Sequence, residues 1–172
     1  MKAKQFLLIA CLPTLLALAG CEPIIVGTPP DFYIYDIYLE VVDADGNSVV
    51  RDVPTLNAGD FRHVVRPELY TMEVSIDGKA SKPAKIYSED LETLMLSTGL
   101  GDKLPKAVAM KYVIRSSRIF KDDKEHTLTV QWENPITFSP HVCKEVRFDG
   151  NVMPVTTDEY GNRATIRIVI DN

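Results

Sequence analysis

Residues 126–133 read HTLTVQWE. His126, Leu128, Val130 and Trp132 alternate with Thr127, Thr129, Gln131 and Glu133. A period of two, with β-branched and aromatic residues on one side, predicts a strand with one face buried and one wet. The same period recurs on both sides of it. Tyr33, Tyr35, Ile37, Leu39 and Val41 form one row opposite Asp36 and Glu40. Tyr70, Met72, Val74 and Ile76 form another, and Met110, Tyr112 and Ile114 a third. Val146 and Phe148 precede the turn Asp149-Gly150-Asn151, and Ile166, Ile168 and Ile170 follow Gly161-Asn162. Asp45-Gly46 and Asp77-Gly78 supply further turns, because glycine accepts positive φ without a steric penalty. Short strands separated by turn signals predict an all-β, antiparallel sandwich or barrel.

Two segments are read differently. Ser88 is a candidate cap for one short helix near residues 88–98, with Leu91, Leu94 and Met95 on one side and Gly99 at its end. A strand from Thr93 to Ser97 competes with it. Lys106–Phe120 is read as a strand that runs into a loop at 121–124.

The start of the chain has a separate logic. Lys2 and Lys4 precede an almost wholly apolar run from Phe6 to Leu18. That run is shorter than the roughly 20 residues a membrane-spanning helix needs. A charged start and a short apolar middle are the layout of a secretory signal peptide. Leu18-Ala19-Gly20-Cys21 resembles the lipobox of bacterial lipoproteins. The resemblance implies cleavage before Cys21, diacylglycerol on its sulfur and a further acyl chain on the new amine. It places the protein in the cell envelope of a Gram-negative bacterium, lipid-anchored and expected at the outer membrane. Glu22 followed directly by Pro23 offers no acidic export run, which leans toward the periplasmic face. The expected organisation is therefore a signal peptide at 1–20, a lipidated cysteine and extended tether at 21–31, and a single sandwich domain at 32–172.

Charge and cysteine usage narrow the partners. The chain has 19 basic and 24 acidic residues, a net −5. Losing Lys2 and Lys4 leaves 17 against 24, a net −7. That balance disfavours nucleic acid and anionic membrane surfaces. Of three cysteines, Cys11 leaves with the signal and Cys21 goes to lipid, so Cys143 has no intrachain partner. The domain must stand on its apolar core alone.

YVIRSSRIFKDDKEHTLTVQW at 112–132, then Cys143 and VRFDGN at 146–151, is similar to small lipoproteins of Bacteroidota with immunoglobulin-like sandwiches and no assigned activity. The resemblance implies a source and an immunoglobulin-like fold, and it transfers no functional residue.

Candidate sites are sparse. Asp43-Ala44-Asp45-Gly46-Asn47 has alternating oxygens, yet a hairpin turn accounts for every residue of it better than a calcium loop does. His141 and Cys143 share a strand face, but no third member is identifiable to orient the histidine. No metal, cofactor or catalytic residue is expected. Lys79, Lys82 and Lys85 read as a soluble surface. Phe61, Arg62, His63 and Arg66, with Phe120, combine large apolar residues with charges in loops, the composition of an interface anchor with a polar rim. The expectation is a non-catalytic binding or accessory module whose partner is an envelope protein or glycan. A structural subunit of a surface filament or envelope complex is the alternative, and an envelope hydrolase the third reading.

Overall fold

A computed structural model describes residues 33–57, 63–89, 92–100, 106–134, 141–158 and 163–170. The strands are β1 (Tyr33–Val42), β2 (Thr55–Asn57), β3 (His63–Val65), β4 (Thr71–Ile76), β5 (Lys79–Ser81), β6 (Lys85–Glu89), β7 (Thr93–Leu100), β8 (Ala107–Arg115), β9 (Glu125–Glu133), β10 (Val142–Phe148), β11 (Asn151–Met153), β12 (Val155–Thr157) and β13 (Ala164–Val169). The helical turns among the described residues are α1 (Ser117–Phe120) and a 3-10 turn at Pro67–Leu69.

Two sheets form. The first has the order β12-β13-β1-β7-β6-β3-β2, the second β11-β10-β9-β8-β4-β5. The rows read from the sequence are their inner faces. Tyr35, Ile37, Leu39 and Val41 of β1 are at most 2% exposed, as are Ile166 and Ile168 of β13. They pack in one cluster with Met110, Tyr112, Ile114, Leu128, Val130, Trp132 and Val146 of the second sheet. The expected all-β sandwich is therefore present, with apolar faces of two sheets turned toward each other.

One pairing departs from the antiparallel expectation. β1 pairs antiparallel with β7 but parallel with β13, Ile37 opposite Ala164 through Val42 opposite Val169. The first and last strands of the domain are thus neighbours in one sheet.

Two local expectations are corrected. Residues 88–98 are not helical where described: β6 ends at Glu89 and β7 begins at Thr93, and Asp90 and Leu91 lie outside the described residues. Thr93, Leu94, Met95 and Leu96 are all buried, because β7 is an interior strand covered on both faces. On its outer side Met95 lies between Tyr38 and Tyr87 across the strands. The Arg163 guanidinium caps the Tyr38 ring at 4.1 Å. Burial on both faces outweighs the capping signal at Ser88. The second correction is at the end of β8. The chain turns into α1, capped by Ser116, whose Oγ accepts from Ile119 N at 3.3 Å. Lys121, at φ 63°, ends it in the left-handed region.

The edge strands β2, β5, β11 and β12 are three residues each. Short edges limit pairing with other chains. The Gly161-Asn162 turn lies outside the described residues.

With no covalent cross-link among the described residues, the inner rows carry the stability. Ile37→Ala is expected to lower the unfolding free energy by about 2–5 kcal/mol. Val152→Ala, at a side chain 60% exposed, is expected to change it by less than about 0.5 kcal/mol. Urea titrations of the two variants check the contrast.

Candidate functional site

The strand registers place loops at two ends. One end gathers the β1–β2 turn at 43–47, the 3-10 turn, α1 and the Asp149-Gly150 turn. Ser116 Oγ donates to Leu69 O at 2.8 Å, tying α1 to the 3-10 turn. Arg66 is exposed and pairs with Glu68 at 3.5 Å. His63 is exposed in β3. Phe61 and Arg62 lie outside the described residues.

Phe120 is corrected. It is 3% exposed and packs into the core, so its ring cannot serve as an exposed interface anchor. A single turn of helix is enough to fold it inward, against His126 at 4.3 Å and Phe148 at 5.8 Å between ring centroids.

His126 is the centre that the sequence left unmarked. Its ring stacks on Phe148 with 9° between planes. Nδ1 lies 2.7 Å from Asp149 Oδ2, and Nε2 lies 3.0 Å from Asp122 Oδ1. Both ring nitrogens therefore face carboxylates. A neutral imidazole has one N–H and can donate to only one of them, whereas the imidazolium donates to both. Burial pushes the His126 pKa down, but hydrogen bonds and charge from Asp149 and Asp122 outweigh it, and the net direction is up. Asp122 is lowered, first by its bond to His126. Asp149 Oδ1 also accepts from Thr127 N at 2.7 Å, fixing the turn at φ 48°. The clamp thus fastens the loop after α1 to the β10–β11 turn. Spacing hinted at half of it, since Asp122 and His126 are four apart. Asp149 is 23 residues away, and only the β9–β10 register brings it close.

The opposite end holds a plug of rings and amides. His141 stacks on Tyr35 at 4.1 Å, and Trp132 meets Tyr35 edge-on at 5.5 Å. Asn134 Nδ2 donates to Tyr35 OH at 2.7 Å, and Asn134 Oδ1 lies 2.8 Å from His141 Nδ1. An orienting amide for His141 does exist, nine residues before Cys143. The thiol is nevertheless unsuited to attack: burial pushes Cys143 up to about 11, where the thiolate is scarce. Burial also lowers His141, with the charge of Asp36 opposing. Nearby, burial pushes the Tyr112 phenol up to about 12, its hydrogen bond with Thr98 at 2.9 Å acting against the rise.

The Asp43–Asn47 loop uses its oxygens internally. Asp43 Oδ1 accepts from Asn47 N at 2.8 Å and Oδ2 from Asn47 Nδ2 at 3.2 Å, which holds the carboxyl below its usual range. Gly46 sits at φ 86°, and a Cβ there would meet the Arg167 guanidinium at 2.9 Å.

No protein-family model, curated protein or solved structure matches the chain.

His126 binds its proton more tightly folded than unfolded, so its contribution to stability is complete below roughly pH 6.5 and is lost as pH rises through the elevated folded value. His141, lowered, acts with the opposite sign and loses its contribution as pH falls. The urea midpoint of the wild type minus that of His126→Gln should therefore shrink steadily above neutral pH. A pH-independent difference would dissociate the clamp from the proton.

Cys143 should react slowly with a thiol reagent in native buffer and quickly in denaturant, as its raised pKa and half-buried position require. Rapid native reaction would return it to candidacy as a nucleophile.

Proposed function

We propose that the chain is a lipid-anchored, non-catalytic binding or accessory module of a Gram-negative envelope, similar to the sandwich lipoproteins of Bacteroidota. The observation that carries this reading is the lipobox: Leu18-Ala19-Gly20-Cys21 behind a charged and then apolar start. Two or more acyl chains anchor stably where one is marginal. No helix among the described residues is long and apolar enough to cross a membrane; the lipobox is what places attachment at Cys21 in this reading. It sets the protein at the outer membrane, toward the periplasm.

The site chemistry supports recognition over turnover. A hydrolase needs a nucleophile, a base within hydrogen-bond reach and a group that stabilises developing charge. Here the shifted groups are engaged with the domain itself: His126 by two carboxylates, His141 by Asn134, and Cys143 as a neutral thiol. The end that joins the 3-10 turn to α1 is a rigid frame with His63, Arg66, Glu68 and Arg118 exposed on it. Loops held by a rigid scaffold are where binding residues concentrate. The partner fitting that polar rim is an envelope protein or glycan. A filament subunit would favour a terminal strand that leaves readily, and β13 is paired on both sides, with β12 and with β1.

Cys21→Ala is expected to abolish metabolic labelling with a fatty acid and to release the protein from the membrane fraction. Persistent labelling and sedimentation would overturn the anchor. Capture of envelope components on the full chain should weaken on combined His63→Ala and Arg66→Ala substitution with the melting curve unchanged; capture that survives would remove this end from consideration.

A further inference from the structure

The lysines at 79, 82 and 85 acquire a meaning from where the strand registers put them. Ile34 lies opposite Gly99, Asp36 opposite Ser97, and Ser97 opposite Lys85. The start of β1 and the start of β6 are therefore at one end of the first sheet. Ala107 opposite Glu133, and Glu133 opposite Val142, mark the same end of the second sheet, which the 101–105 connection joins to the first. The β4–β5 turn, with Ile76 opposite both Met110 and Lys79, belongs to it too. Lys79, Lys82, Lys85 and Lys106 are all exposed there. None of the four has an ion pair or side-chain hydrogen bond among the described residues. Two open clefts of about 560 and 480 Å³ flank the Ser81–Ala84 crossover between the sheets, with Lys82 and Lys85 lining the second. The acids at this end are Asp77, which accepts from Ala109 N at 2.9 Å, Glu133, which pairs with Lys144 at 2.7 Å, Glu73, exposed in the first cleft, and Asp36, whose Oδ1 is buried without a hydrogen-bond partner among the described residues. The 101–105 connection adds one acid and one base. Two apolar side chains, Ile34 at 51% and Val142 at 38% exposure, stand at the same end.

The other end is built oppositely. Asp43, Asp45, Glu92, Asp122, Asp123 and Asp149 collect there; Arg51 pairs with Glu92 and Lys124 with Asp122, while Arg115, Arg118 and Lys121 are exposed beside them. The whole-chain net charge disfavours an anionic surface, but a surface feels the charges nearest to it, within a screening length of about 10 Å.

The lysine end is also where the chain preceding Tyr33 enters the domain. We propose that Lys79, Lys82, Lys85 and Lys106 form a docking face for the anionic glycerophospholipid headgroups of the leaflet that holds the Cys21 anchor. This rests on the lipid-anchor reading above. Residues 22–31 reach at most about 35 Å, so the tethered domain meets the surface at an effective concentration near the millimolar range. A modest patch then suffices to orient it. Each lysine at an anionic surface shifts partitioning roughly fivefold. Docking this way points the 3-10 turn and α1 away from the membrane, toward a partner.

The test uses the full acylated chain, reconstituted in phosphatidylcholine vesicles with or without phosphatidylglycerol. An amine-acylating reagent reports each lysine by mass spectrometry. Lys79, Lys82, Lys85 and Lys106 are expected to react at least about fivefold more slowly when phosphatidylglycerol is present. Lys121 and Lys124 at the far end should react alike in both vesicles. Raising salt to ~1 M, where screening shortens to about 3 Å, should remove the protection. In the variant combining Lys79→Glu, Lys82→Glu and Lys85→Glu, Lys106 should lose its protection while the circular dichroism spectrum stays that of the wild type. Equal reactivity of the four lysines in both vesicles, or equal protection at both ends, would overturn the docking face alone. An intact mass without acyl groups at Cys21 would overturn the anchor reading and the docking face with it.

Discussion

Everything in the domain leans on β1. Its residues Tyr35, Ile37, Leu39 and Val41 are at most 2% exposed, and its backbone is hydrogen-bonded on both sides, antiparallel to β7 and parallel to β13. Over Ile37–Leu39 it is paired on both edges, and there its apolar row has no orientation except inward. The position of the chain entry, the burial of β7 and the seat of β13 all follow from that placement. Because β1 and β13 are the first and last strands of the domain, their pairing closes nearly the whole chain into one loop. It does so at an entropic cost that grows only slowly with length.

The half-buried strands were legible in the sequence because their environment is two-faced. β9 alternates, and its inner residues Leu128, Val130 and Trp132 are buried while Gln131 and Glu133 are exposed. β7 was legible only as the strand at Thr93–Ser97 competing with a helix, for the converse reason. Thr93-Leu94-Met95-Leu96 is covered by the second sheet on one side and by Tyr38, Tyr87 and Arg163 on the other, so alternation gives it no signature. The parallel register of β13 was equally hidden, since a strand's pattern carries its period and not its direction.

The site divides along the same line. Arg66 and His63 could be placed on the surface by composition. Phe120 could not, because one turn of helix capped by Ser116 decides whether its ring faces in or out. The His126 clamp needs Asp122 from a loop and Asp149 from a turn on the neighbouring strand. Chemistry assembled from three elements leaves no spacing to read. The orienting amide beside His141 went unseen in the same way, although Asn134 lies seven residues before it.

The parallel pair has a mechanical meaning. β1 starts at the end where the preceding chain enters, and β13, running the same way, finishes at the other. Tension between the segment before Tyr33 and the segment after Ile170 therefore pulls the two strands past each other lengthwise. Their slanted hydrogen bonds, from the Ile37–Ala164 pair to the Val42–Val169 pair, share that load together. A hairpin pulled from its open end would instead lose its bonds singly, in sequence. The sandwich is thus arranged as a shear joint along the common axis of β1 and β13.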